Sequence, residues 1–191
     1  MKKYMLLIGF VLGISACTKA PALQIYTLDV PQVKVRGVHP YLSKTLKVSY
    51  PQTLKEALSQ KMNFSYSISD RGVYQNSQWS NNIGKLLQGT IIELLERSKL
   101  FNVVLSDAST LHEEYRLESN IFAFEHRVRG TDSYAVVSIQ FTLIDADSGK
   151  LLKSRRFSYQ EPTPSTDAKG YVSATNVIMN RLSSDLIEWL R

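Results

Sequence analysis

The chain is poor in the residues that carry most protein chemistry. It has one cysteine in 191 residues and three histidines. A single cysteine excludes an internal disulfide, so packing alone must hold the fold. His39, His112 and His126 form no His-x-x-x-His pair, and there is no Gly-x-Ser-x-Gly elbow, phosphate-cradling glycine loop or dinucleotide fingerprint. Repeats, low-complexity tracts and a bilayer-length apolar run are also missing. The formal charge is +6, or about +4 without Lys2 and Lys3. That is mildly basic and short of the profile of a nucleic-acid binder. A basic face suits anionic headgroups or an acidic partner; a plainly solvated surface explains the same charge.

What is present lies first at the N-terminus. Lys2 and Lys3 precede an apolar stretch from Tyr4 to Gly13, followed by Ile14-Ser15-Ala16 and Cys17. This is the charged, hydrophobic and small-residue layout of a secretory leader. It falls short of the roughly 20 apolar residues needed to span a bilayer. Ile14-Ser15-Ala16-Cys17 resembles the lipobox of bacterial lipoproteins, in which the cysteine is acylated, with chains such as palmitate, and becomes the new N-terminus. An ordinary leader cut near Ala16, or an uncleaved anchor, is the plainer alternative. The resemblance implies a signal peptide over 1–16, a lipidated tether over 17–23 and a domain over 24–191, with Cys17 as the lipidation site. Two or more acyl chains hold a protein firmly on a membrane. In two-membrane bacteria an aspartate after the cysteine marks inner-membrane retention. Thr18 stands there instead, which implies the outer membrane with the domain facing the periplasm.

The mature chain of about 175 residues fits one domain. Gln24 to Leu28 starts a first strand, and 31–45, with Pro31, Gly37 and Pro40, reads as irregular. Leu46, Val48 and Tyr50 alternate as a strand; Thr53 to Lys61 fits a short helix capped by Thr53. Phe64, Tyr66 and Ile68 alternate with serines as a half-buried strand, Asp70-Arg71-Gly72 turns, and Val73 to Gln78 returns. Ile83, Leu86, Leu87, Ile91, Leu94 and Leu95 predict a helix over about 82–99, with Ser80 or Asn81 as N-cap. Phe101 to Leu105 reads as a buried strand. Tyr115 to Val128 is a long strand, apolar on both faces at Ile121 to Phe124. Ala135 to Leu143 alternates without a break. Asp145 to Gly149 turns, Leu151 to Tyr159 returns, Pro162 and Pro164 form a loop, and 167–190 is a closing helix. The expected fold is α+β: a mainly antiparallel sheet with two long amphipathic helices packed on one face.

No constellation points to catalysis, a cofactor or a metal. Asp145, Asp147 and Gly149 only loosely fit a calcium loop, because the glycine comes one place early and no closing glutamate follows. His112-Glu113-Glu114 reads as a solvated turn. Two features suit binding. Lys150, Lys153, Arg155 and Arg156 cluster on one hairpin arm, with Arg127 and Arg129 ending an earlier strand; they form either a patch or ordinary solubilising charge. Tyr26, Tyr66, Tyr74 and Trp79 form an aromatic set suited to the core or to lipid contact.

The ordered landmarks resemble the ABC-type transport auxiliary lipoproteins. They are Tyr26-Thr27-Leu28 behind a short tether, Leu46-Lys47-Val48-Ser49-Tyr50-Pro51, Leu58 through Tyr66, Tyr74 and Trp79 before the long helix, Leu143-Ile144-Asp145, Gly149-Lys150-Leu151-Leu152 and Arg156-Phe157. Ser80-Asn81-Asn82 departs from the acidic and proline residues common there, and 31–45 has no clear counterpart. The resemblance implies a non-enzymatic component of an ABC/MCE-type envelope lipid transport system. Its partners would be an MCE-domain protein, an ABC permease and ATPase, or further copies of itself as a homo-oligomer. An outer-membrane assembly lipoprotein partnering a barrel protein is the alternative, and a tethered enzyme the third reading.

Overall fold

The computed structural model describes residues 21–32, 40–53 and 59–191. The leader, Cys17, His39 and the middle of the helix expected over 53–61 lie outside them. Among the described residues nine strands and two helices follow in order: β1 (Gln24–Tyr26), β2 (Tyr41–Val48), β3 (Gln52–Thr53), β4 (Lys61–Ser65), β5 (Arg71–Trp79), α1 (Ile83–Ser98), β6 (Phe101–Ser106), β7 (Tyr115–Arg129), β8 (Asp132–Asp145), β9 (Leu151–Pro162) and α2 (Ala168–Leu190).

β7 organises the sheet. Along one side β8 pairs with it antiparallel from Tyr115↔Asp145 to Arg129↔Asp132, and β9 pairs antiparallel with β8 from Tyr134↔Pro162 to Ile144↔Leu151. Along the other side three short strands take turns, all parallel: β2 at Tyr115 to Leu117, β3 at Asn120 and Ile121, β4 at His126 and Arg127. Outside these, β6 joins β2, β5 joins β4, and β1 joins β5. The sheet is mixed yet antiparallel over most of its paired length. Helix α1 packs on β6 and β2, α2 packs on β8 and β9, and the helices touch each other. The α+β expectation holds.

Strand alternation explains where the core sits. On β8, Ala135, Val137, Ile139, Phe141 and Leu143 are fully buried beneath the helices. Their partners on β7, including Leu117, Ile121 and Phe124, share that face. Leu87, Leu94 and Leu95 of α1 and Tyr171, Ile178, Leu182 and Leu186 of α2 close over them. Each such side chain contributes about 1.5–3 kcal/mol by leaving water. The opposite face carries Glu118, Asn120, Gln140, Thr142 and Ser158, as expected for a sheet wetted on one side.

Several boundaries differ from expectation. β2 begins at Tyr41, inside the stretch read as irregular; Tyr41 stacks on Phe101 with centroids 4.9 Å apart. A register shift between Tyr41 and Thr45 hides the alternation there. Thr53 lies in β3 and caps no described helix, while Lys61 opens β4. β4 stops at Ser65, because Tyr66 and Ser67 both donate backbone N–H groups to Asp70 O and Ser67 Oγ accepts from Asp70 N. That turn leaves Tyr66 and Ile68 exposed. The cap of α1 is Asn82 rather than Ser80 or Asn81: its Oδ1 accepts from Lys85 N at 2.9 Å and from the Tyr50 hydroxyl at 2.9 Å. β6 buries only Phe101 and Val104. A bulge between Ile121 and Ala123 turns Phe122 outward.

The closing helix is fixed at both ends. Asp167 Oδ1 accepts from Gly170 N at 2.8 Å. Gly170 must lack a side chain, since a Cβ would lie 2.2 Å from Ser165 O. At the far end Lys153 Nζ donates to Trp189 O (2.9 Å) and Leu190 O (3.1 Å), tying β9 to the last turn.

Candidate functional site

The outer edges of β9, β6 and β1 have no strand partner among the described residues. Such edges present rows of backbone donors and acceptors on which another chain can add a strand. β9 is the longest of the three at 12 residues. It starts with exposed Leu151 and Leu152, and Val103 on β6 and Ile25 on β1 are likewise exposed.

The basic cluster of the β8–β9 hairpin is not one patch. Alternation sends Lys153 and Arg155 to the helix side, where Lys153 closes α2 and Arg155 lies over the Phe157 ring at 4.8 Å. Arg156 faces the open side. Its guanidinium lies 3.9 Å from the Phe122 centroid and donates to Ser138 Oγ at 2.9 Å. Arg127 shares the open side, but Arg156 is level with Asn120 through Gln140. The two sit roughly 20 Å apart along β7 at the usual strand rise. The aromatic set also divides: Trp79 is buried against Phe124 and Tyr171, Tyr74 is half-buried, and Tyr66 is exposed.

The remaining candidates are structural. Glu113 is buried between Lys47 (2.5 Å) and Arg116 (2.6 Å), which together hold its carboxyl down at about 2. Glu114 accepts from Lys44 Nζ and from Thr45 N, both at 2.8 Å. His112 pairs at the surface with Asp147 at 3.0 Å. Asp145 Oδ1 accepts from Ser148 N and Ser148 Oγ, and Gly149 takes a positive φ of 69°, the chemistry of a hairpin turn. His126 is wholly buried beside Tyr74 and Tyr171. Among the described residues no three His, Cys, Asp or Glu side chains gather as a metal site, and no helix is long and apolar enough to cross a membrane. Sequence reasoning did not join Arg71 to Arg127 and Arg129. They meet only because β4 lies parallel to β7, with Ser65 opposite both Arg71 and Arg127.

Comparison with known proteins agrees with this architecture. The chain is 24% identical over 184 residues to the uncharacterized protein bll6063 of Bradyrhizobium diazoefficiens, covering 95% of this chain and 49% of that protein. It thus spans about half the length of that relative. The crystal structure of XCC0632 from Xanthomonas campestris superposes with a TM-score of 0.78 at 21% identity, over 87% of this chain and 94% of the other. The PelC dodecamer from Paraburkholderia phytofirmans gives a TM-score of 0.50 at 15% identity, over 80% and 94%. The model of one family of lipid-anchored envelope proteins matches residues 26–186, and the chain belongs to that family, the ABC-type transport auxiliary lipoprotein components.

Proposed function

We propose that the protein is a non-catalytic docking component of an ABC/MCE-type envelope lipid transport system. Acylated Cys17 holds it on the outer membrane, facing the periplasm, behind a signal peptide over 1–16 and a tether over 17–23. Its partners are an MCE-domain subunit of a permease and ATPase system and further copies of this chain. The observation that carries the reading is the long edge of β9, which has no strand partner among the described residues. Strand addition at that edge takes its affinity from main-chain hydrogen bonds and needs no catalytic group. PelC shares the fold and is a dodecamer, which supports self-association of this chain.

The test is affinity purification of the tagged chain from cross-linked cells, followed by mass spectrometry. Recovery of an MCE-domain subunit is expected. A barrel protein recovered in its place would support the assembly-lipoprotein alternative.

A further inference from the structure

At one end of the sheet the β4–β5 connection projects as a short tip, Tyr66 to Asp70. Ile68 at its apex is 94% exposed and Tyr66 56% exposed. Beside the tip lies an open-sided cleft of about 290 Å³, lined by Ser65, Tyr66 and Ile68 together with Arg71, Arg127 and Arg129. Among the described lining residues one carboxylate, Glu125, faces the three guanidiniums. It lies 2.8 Å from Arg127 Nε and 3.9 Å from Arg71 Nη1. Arg129 is exposed and has no ion-pair partner among the described residues. Among the described residues the cleft is thus lined by three guanidiniums and one carboxylate, next to an isoleucine and a tyrosine that face water.

Strand direction places this tip relative to the anchor. β1 runs parallel to β5, so the chain traced back from Gln24 heads toward the Arg71 end. Gln24 is level with Ser77, six residues from Arg71 and about 20 Å away along the strand. Seven residues separate Gln24 from Cys17, a reach of at most about 25 Å. A lipid on Cys17 can just reach the level of the tip, so a bilayer holding that lipid is within reach of this end of the sheet.

We infer that the cleft and tip form a second membrane contact, in which Arg71, Arg127 and Arg129 bind the phosphate of an anionic phospholipid headgroup while Ile68 and Tyr66 enter the interface. The inference rests on the acylation of Cys17 proposed above. Guanidinium forks match phosphate oxygens in shape and charge. Tyrosine favours the headgroup level of a bilayer. Asp70 and Asp132 share this end, which removes any diffuse basic attraction, so the contact is one discrete headgroup site. It would set the orientation of the domain on the membrane, and with it the direction in which the β9 edge is presented.

The test uses the full acylated chain in nanodiscs. Cys17 is the sole cysteine, so once acylated it leaves Ile68→Cys as the one thiol for an environment-sensitive fluorophore. A second probe at Ser69→Cys keeps Ile68 in place. Intact mass confirms acylation in the same sample. The expected result is a blue shift and quenching by spin-labelled lipid at both probes in discs containing phosphatidylglycerol. Phosphatidylcholine alone should give little shift, and Arg71→Gln with Arg129→Gln should abolish it. Inorganic phosphate without discs should give no shift, because a free ion offers the apolar tip no interface, and excess phosphate added to the discs should weaken the shift by competing for the same guanidiniums. An acylated chain whose probes keep their aqueous emission overturns the inference and leaves the anchor standing. A shift indifferent to phosphatidylglycerol and to both arginines overturns the headgroup site. A bare Cys17 overturns the contact and the anchor together.

Discussion

The Tyr74 hydroxyl lies 2.6 Å from His126 Nδ1, joining β5 to β7 under the start of α2. The imidazole also stacks flat on Tyr171, with centroids 5.3 Å apart and planes 4° from parallel. His126 and Tyr171 are fully buried. Burial pushes the Tyr74 hydroxyl up to about 12 and the imidazole down, so both are neutral at pH 7.

His126 gives stability a pH dependence with a definite sign. Its protonated form is disfavoured in the folded state, with Asp167 opposing this only in part. The unfolded chain therefore binds that proton more tightly. Stability is complete above the ordinary imidazole value near 6.5 and falls as pH drops through it. Urea midpoints should decline from pH 7 to pH 5 in the wild type. In His126→Phe this slope should flatten, and stability at pH 7 should fall by about 1–3 kcal/mol because the half-buried Tyr74 hydroxyl loses its close partner.

Glu113 acts in a separate window. Its carboxyl, held at about 2 by Lys47 and Arg116, contributes stability above the unfolded value near 4.3. That contribution disappears as pH falls from there toward 2. Lys47→Met should reduce stability at pH 7 by about 1–3 kcal/mol, with a smaller difference from wild type at pH 2.5. Equilibrium denaturation at the two pH values checks this.

Two glycines should respond oppositely to alanine. Gly89 is exposed within α1, and a Cβ there would meet nothing within 4 Å. Gly89→Ala should stabilise by about 0.5–1 kcal/mol through helix propensity. Gly170 sits against the Ser165 backbone, so Gly170→Ala should cost about 1–3 kcal/mol by overpacking. Thermal denaturation of the two variants gives shifts of opposite sign.

Lys153 closes the last turn of α2 with two carbonyl contacts. Lys153→Met removes a cation from a helix C-terminus and should cost about 1 kcal/mol. Amide exchange should rise in the last turn, around Trp189 and Leu190, and stay unchanged in β8. A uniform rise across the sheet would contradict this local role.

Long periodic elements were legible in the sequence. The unbroken alternation of Ala135 to Leu143 and the helical spacing of Ile83 to Leu95 both mark faces that meet one core. Short-range competition hid the rest. Tyr66 and Ile68 continue the alternation of Phe64, but the Ser67 and Asp70 turn contacts end the strand first. Lys153, Arg155 and Arg156 look like one cluster in the chain, and a two-residue side-chain period divides them between faces. The Arg71–Arg127–Arg129 cleft needed the parallel pairing of β4 with β7, which no local pattern encodes. The lipobox-like stretch Ile14 to Cys17 is the reverse case: the resemblance is read from sequence alone, and the stretch lies outside the described residues.

Intact mass spectrometry of the mature protein from membranes tests the account most directly. The account predicts a chain that begins at Cys17, lacks residues 1–16 and carries the added mass of two or more fatty acyl chains. A chain with an unmodified thiol, or one cut elsewhere with a free amino end and no lipid, would contradict it.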